Sequence, residues 1–419
     1  MFFLIPSFVF AQQEINIQEV DKIIKILSSD TMEGRKVFTT GIDKAADFIE
    51  EEFREIDLKY FHGLENYRQS FTVSTTAIHE ASLHLNSNKI EEKDFWVQSP
   101  HENINWRDIE KIKIQRIRSG EDFNQRYAEI MKVPEDGLIL VSHEHKQIFS
   151  RFQSRFSATR ISMGNIEAAS RIFVLRDPEK IKSIEARIQI DKKEQVLKNI
   201  VGVIPGSSKP DKFILFTAHY DHLGIMPAIA GDSIANGADD NASGTAAVIS
   251  LARYFQSRTE PERTLVFVAF TAEEVGAFGS RYFSQQVQPE KIIAMINIEM
   301  IGTPSKFGPH SAFLTGFERS TLGNIMQENL REQIYKIHAD PYPEQNLFYR
   351  SDNATLARLG VPAHTISSSQ IDKDPFYHTV QDEYENIHIE HLTHMIRAIA
   401  LSVQSIIAGD ATPSRLSNR

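Results

Sequence analysis

Polar side chains able to hold a cation or move a proton recur in this sequence immediately after apolar runs. His219-Tyr220-Asp221-His222 follows the apolar stretch Lys212–Ala218. An imidazole two residues before a carboxylate offers a metal ligand together with an acceptor that fixes its tautomer. Asn236–Gly244 (NGADDNASG) sets two carboxylates, Asp239 and Asp240, among small residues at the entry to a helix. That loop reads equally as a polar helix cap, for which Asp, Asn and Ser are favoured, or as a backbone loose enough to let a carboxylate reach inward. Thr264–Phe270 runs into Thr271-Ala272-Glu273-Glu274. Two adjacent carboxylates at the tip of a buried strand are costly unless positive charge sits beside them. Neighbours there point different ways, so one can bind a metal while the other takes a proton. Asn297-Ile298-Glu299 delivers a further carboxylate, and Phe376-Tyr377-His378 a second imidazole beside a phenol. Imidazole and carboxylate without thiolate suit a catalytic zinc, with manganese or cobalt as alternatives. Five ligands exceed one tetrahedral ion, and one shared carboxylate resolves them as a two-metal site.

The elements that must position these groups are short apolar strands alternating with helices. Lys212–Ala218, Thr264–Phe270, Lys291–Asn297, Ala312–Thr315 and Pro362–Ser367 read as buried parallel strands. Gly244–Gln256, Gly276–Gln286, Ser320–Lys336, Asp352–Leu359 and a closing segment Ile389–Ile407 read as helices, as does the amphipathic Gly41–Phe53. The expected fold is α/β: a three-layer sandwich with a mostly parallel mixed central sheet flanked by helices, plus an inserted, mostly β region. The candidate residues then fall at the carboxyl ends of strands, where open α/β sheets place their sites. The expected organisation is residues 12–75 and 196–419 for the main domain and 76–195 for the insertion. Three histidine-bearing stretches read otherwise. His79 to His84 has one residue too many for the zinc-helix spacing. His143-Glu144-His145 reads as an exposed charged loop, and His388, His391 and His394 as one solvated or half-buried face of the closing helix.

Composition narrows the field. The chain has 419 residues, no cysteine, and 46 basic against 56 acidic side chains for a net charge of −10. Thiolate sites and disulfides are excluded, and a broad basic surface for nucleic acid is disfavoured. No apolar run reaches the roughly 18 residues of a membrane span. Residues 1–11 (MFFLIPSFVFA) resemble a short, truncated secretory signal. An exported protein, periplasmic or extracellular, is therefore expected. No Gly-x-Ser-x-Gly elbow or phosphate-cradling glycine loop is present, which makes serine hydrolase and NTPase readings poor.

In this order the motifs resemble the M28 family of zinc-dependent aminopeptidases, through most of residues 199–407 together with the N-terminal helix, Gly34-Arg35 and Gly41. The strings AHYDHLG and GDSIANGADDNASGTAAV (Gly231–Val248) are its most specific carriers. The resemblance implies two zinc ions sharing an activated water, with peptides bearing a free N-terminus as substrates. It implies that His219 and Glu299 bind one ion, Glu274 and His378 the other, and that Asp239 bridges both. Glu273 would be the general acid/base, Tyr377 would support the oxyanion, and Asp221 would orient His219. Asp240 would stand behind the ligands, joined to Asp239 by a peptide that is cis in the family. Ser351-Asp352-Asn353 matches a segment near the substrate. Where members commonly carry Asp, this chain has Glu299. Two alternatives accompany this reading: a single-zinc glutaminyl cyclase acting on N-terminal Gln, and a non-catalytic peptidase-like binding ectodomain.

Overall fold

Apolar strands whose successive residues face opposite ways build the larger of two units, Met1–Phe71 with Leu197–Arg419. The computed structural model describes residues 14–164, 169–177, 180–258 and 260–416, so the proposed signal segment 1–11 lies outside the described residues. The sheet of this unit runs Lys336–Ala339, Ser311–Leu314, Ala363–Ser367, Ile292–Ile298, Lys209–His219, Arg263–Phe270 and the end of Ile184–Ile204. The four strands from Ala363–Ser367 to Arg263–Phe270 are mutually parallel, and their outer neighbours Ser311–Leu314 and Ile200–Ile204 pair antiparallel.

Alternation along the strands makes two cores. Ile214, Phe216, Leu265, Phe267, Ala294 and Ile296 face a layer formed by helices Ile17–Leu27, Thr40–Glu55, Gly244–Gln256 and Ile389–Ser402. Leu215, Val266, Val268 and Met295 face the other way, against Phe283, Phe348, Leu356 and Val361. Helices on both faces of the sheet make the expected three-layer α/β architecture. Phe216 and Phe267 are fully buried and stack at 5.4 Å; truncating either to Ala costs about 3–5 kcal/mol. Helix Gly244–Gln256 is buried along most of its length, with Arg253 reaching Glu52 at 2.6 Å.

The segment Ser320–Lys336, read as one helix from sequence, divides in the structure. Helix Leu322–Asn329 ends in a turn, and Lys336–Ala339 becomes a strand paired with Ser311–Leu314. Four residues of which Ile337 alone is buried are too short to show strand alternation. The closing segment likewise breaks at Val403 into Ile389–Ser402 and Gln404–Ile407.

The second unit is Thr72–Val196. A four-stranded sheet, ordered Phe95–Gln98, Arg171–Leu175, Gly137–Val141, Lys113–Ile117, buries Trp96, Ile139 and Phe173 under helices Phe123–Met131 and Lys146–Ser157. Trp96 stacks on Phe173 at 3.8 Å. Strands predominate, and the two helices are additions to the expected picture. The first is capped by Asp122, whose side chain accepts from Gln125 N at 2.7 Å.

Candidate metal centre and active site

Three adjacent parallel strands, Lys209–His219, Arg263–Phe270 and Ile292–Ile298, end on one edge of the sheet. Their ends deliver His219, then Glu273 and Glu274 one turn beyond Phe270, then Glu299. Asp240 comes from the segment feeding helix Gly244–Gln256, where it holds a non-helical φ of −106° and ψ of 91°. His378 comes from the loop before the closing helix, at φ +58°. These residues converge on one carboxylate. Asp240 Oδ1 lies 3.3 Å from His219 Nε2, and Asp240 Oδ2 lies 3.2 Å from His378 Nε2. Glu299 Oε1 is 3.8 Å from His219 Nε2, and Glu274 Oε2 is 3.3 Å from His378 Nε2.

Two expectations need correction. The carboxylate between the imidazoles is Asp240, and Asp239 points elsewhere. Asp239 Oδ1 accepts from Gly302 N at 2.7 Å and Oδ2 from Thr303 Oγ1 at 3.2 Å, tying its side chain to the loop after Glu299. The cis peptide is correspondingly Asp240–Asn241, one bond later than the resemblance implies. Asp221, expected to orient His219 through its carboxylate, does so through its backbone carbonyl, which lies 3.1 Å from His219 Nδ1. The Asp221 carboxylate instead accepts from the backbone N–H groups of Glu273 and Glu274 at 3.0 and 3.3 Å. It fixes the turn that aims those two side chains.

Burial and charge set the protonation states. Burial pushes the Glu273 carboxyl well above its usual range, and neighbouring Glu299, Asp352 and Glu274 push it further, against His219. Burial also penalises the Asp240 carboxylate, yet the imidazoles of His219 and His378 facing it hold its pKa far below the usual range. Glu274 is likewise lowered, with His222 and His378 overcoming burial. His378 is raised to about 10 by Asp240 and Glu274. Burial opposes charge on His219, but Asp240 and Glu299 raise it well above its ordinary value. Glu273 thus differs from Asp240 and Glu274 in being shifted upward, a direction it shares with Asp221 and Asp352, which burial raises to about 6 and 7; raised carboxyls in a cleft are candidates for acid/base work.

The donor set fits zinc. Two groups of three donors lie close enough to share a cation: His219, Asp240 and Glu299, and His222, Asp240 and Glu274. With zinc bonds of about 2.0–2.1 Å, ligand atoms in a tetrahedral shell sit about 3.3 Å apart, the spacing found at Asp240. His219 Nε2, the atom facing Asp240 and Glu299, is buried without a hydrogen-bond partner. Glu273 belongs to neither group. Tyr377 stacks on His378 at 3.9 Å, and burial and nearby carboxylates raise its phenol pKa.

Three supporting residues receive no role from the motifs: His222, Asp382 and Arg35. Asp382 accepts from Asp239 N and Asp240 N at 2.8 and 2.9 Å, clamping the ligand-bearing turn. Arg35, fully buried, donates to the carbonyls of Tyr220, Leu27, Asn236 and Gly237. Burial lowers Arg35 to about 10, while Asp382, Asp240, Asp221 and Glu274 favour its charge. It is the counter-ion beneath the acidic centre. Gly237, at φ +57°, admits this turn because an added Cβ would lie 2.3 Å from Asp240 O. His79 and the His143–His145 turn take no part: His79 is exposed and 3.4 Å from Asp191, and His145 Nε2 lies 2.9 Å from Arg118 O.

The sequence profile of Peptidase family M28 matches residues 199–403. The chain is 31% identical over 228 residues to "Leucine aminopeptidase 1" of Pyrenophora tritici-repentis (strain Pt-1C-BFP), covering 50% of this chain and 56% of that protein. It spans 24% of the length of a "Probable zinc metalloprotease" of the same organism, against the 56% of that aminopeptidase. A zinc aminopeptidase from Bacillus subtilis shares the fold at a TM-score of 0.55 and 16% identity, over 97% of this chain and 100% of that one. The glutaminyl cyclase of Porphyromonas gingivalis does so at 0.51 and 12% identity, over 94% and 99%. The match to peptidase family M28 takes in the whole cluster of candidate metal ligands from His219 to His378.

Proposed function

We propose that this chain is a zinc-dependent aminopeptidase holding two cations that share Asp240. The observation that carries the reading is Asp240 standing between His219 and His378 at 3.3 and 3.2 Å, with Glu273 beside the ligands but outside both donor groups. His219 and Glu299 would hold one ion and Glu274 and His378 the other. Bound zinc supplies Lewis-acid polarisation of the scissile carbonyl and eases deprotonation of water. Glu273 takes the proton from the attacking water and returns it to the leaving amine, a role worth about 10²–10⁴-fold. Tyr377, held protonated by its surroundings, donates a hydrogen bond to the developing oxyanion.

A cavity of about 70 Å³ beside Glu299 and Tyr377 is lined by Met300, Phe313, Leu347 and Ile371. It receives the side chain of the substrate's N-terminal residue, and Glu299 offers a countercharge to the free ammonium group. The test is a panel of peptides with free and blocked N-termini and one with N-terminal Gln, run alongside zinc analysis. Stepwise release of N-terminal residues from free peptides alone, with two zinc ions per chain, is the expected result. Cyclisation of the Gln peptide without hydrolysis overturns it in favour of a glutaminyl cyclase, and absence of bound metal in favour of a non-catalytic module. We propose in addition, from residues 1–11, that the protein is exported; a mature N-terminus found at Met1 after expression in a secreting host overturns that.

A further inference from the structure

The two oxygens of Asp240 are unequally furnished. Oδ1 faces one imidazole, His219. Oδ2 faces His378 at 3.2 Å and, at 4.0 Å, a further ring, His222. The two rings on that side are unlike. His378 sits on a loop with its side chain 38% exposed, whereas the His222 side chain is wholly buried. The His222 ring is fixed under Gly237, where an added Cβ would come within 2.5 Å of it, and its backbone N–H donates to Arg35 O at 3.2 Å. Its Nδ1 lies 2.8 Å from Glu274 Oε1, while Glu274 Oε2 faces His378 Nε2 at 3.3 Å. The two oxygens of Glu274 are thus divided between two histidines.

The tautomer follows from what surrounds the ring. A lone pair on Nδ1 would oppose the lone pairs of Glu274 Oε1 at 2.8 Å, and it would leave Nε2–H as a buried donor with no acceptor, since Nε2 has no partner. An unpaired buried donor costs about 1–3 kcal/mol. A proton on Nδ1 turns the first contact into a charge-assisted hydrogen bond.

We propose that His222 is a positioning residue for the metal centre: its Nδ1–H holds Oε1 of Glu274 and thereby presents Oε2 alone to the cation on the His378 side. This rests on the two-cation reading above. It assigns a function to a histidine outside the ligand set that the family pattern implies. Such supporting hydrogen bonds are worth about 10–100-fold in metal affinity.

The experiment strips the full chain of metal and titrates it with Zn²⁺ against a chromophoric chelator, with Glu274→Ala marking which cation is affected. The variants are His222→Leu, which removes the donor, and His222→Asn, whose amide N–H replaces Nδ1–H. His222→Gln, whose longer arm overreaches Oε1, stands in for His222→Leu should that variant fail to fold. Expected is one cation at wild-type affinity in His222→Leu and the other weakened about 10–100-fold, as in Glu274→Ala, with His222→Asn restoring both to within a few-fold. Wild-type affinity for both cations in His222→Leu overturns the proposal, leaving the ring as filler. Equal loss in His222→Asn and His222→Leu overturns it in favour of direct ligation. A wild-type chain that takes up no zinc overturns the metal reading itself, a result distinct from loss confined to the His222 variants.

Discussion

The larger unit contains two histidine clusters of opposite character. At the candidate metal centre His219, His222 and His378 are interleaved with Asp240, Glu274 and Glu299. Beside the start of the closing helix, His310, His388, His391 and His394 line a cavity of about 470 Å³ in which Glu390 is the sole acidic lining residue. There the rings meet one another and neutral groups. His310 and His394 stand at 4.4 Å, Tyr335 Oη lies 3.1 Å from His394 Nδ1, and His391 Nε2 lies 3.1 Å from Ser368 Oγ. Carboxylates raise His378 to about 10, whereas burial and the neighbouring His388, His310 and His394 lower His391 to about 4. Every group of three donors able to share a cation, among the described residues, includes Asp240. Histidine count does not make a metal centre; interleaved carboxylates do.

The largest expected effect separates the proton carrier from the ligands. Glu273→Gln keeps the shape of the side chain and the full zinc content but lowers turnover about 10²–10⁴-fold. Full activity with zinc retained removes Glu273 from the acid/base role. Next, Asp240→Ala and Asp239→Ala are adjacent substitutions with unlike outcomes. The first loses both cations on metal analysis; the second keeps them, because its oxygens are engaged by Gly302 and Thr303. The opposite pattern reinstates Asp239 as the shared carboxylate.

That pair also shows where the sequence is readable. Strand ends and the helix Gly244–Gln256 follow from apolar runs and periodicity, and they carry His219, Glu274 and Glu299 to one sheet edge. Which of two neighbouring aspartates turns inward depends on the backbone of a single turn, and "Ala-Asp-Asp-Asn" does not encode direction. The supporting roles of Asp382 and Arg35 are illegible for another reason, even though Gly34-Arg35 belongs to the resemblance: each residue reaches the turn from a distant part of the chain, with no local spacing to mark the contact. His222 was in plain view beside Asp221, but its importance lies in a contact with Glu274, fifty-two residues away.

The second cluster can be tested through pH. His391 has a folded pKa of about 4 against an ordinary 6.5. Between those values the unfolded chain binds the proton and the folded chain does not. The stability that neutral His391 provides is therefore complete above about pH 6.5, is lost as pH falls from there to about 4, and is constant below. The shift corresponds to about 3 kcal/mol. In metal-stripped protein, denaturant unfolding of wild type against His391→Gln should show the difference in stability narrowing by about that amount from pH 7 to pH 4. A difference independent of pH means that His391 titrates normally and that the two clusters are less opposed than their contacts indicate. Reloaded with zinc, His391→Gln should show the same zinc stoichiometry as wild type.

The smallest effect lies at Glu299, where the chain departs from the common aspartate. Ser351 Oγ donates to Glu299 Oε2, and Asn297 Nδ2 approaches the same oxygen at 3.4 Å. Oε1 is left facing His219 at 3.8 Å. Asp at this position withdraws the carboxylate by one carbon–carbon bond, about 1.5 Å, so it cannot keep both the Ser351 contact and its place beside His219. Glu299→Asp should therefore retain two zinc ions, with affinity on the His219 side and turnover each reduced no more than about tenfold, at the low end of the range for a disturbed metal shell. Glu299→Ala should release that cation while leaving the His378 side at wild-type affinity. Unchanged affinity in Glu299→Ala takes Glu299 out of the ligand set and leaves His219 and Asp240 as the protein donors on that side, the composition of a weaker site.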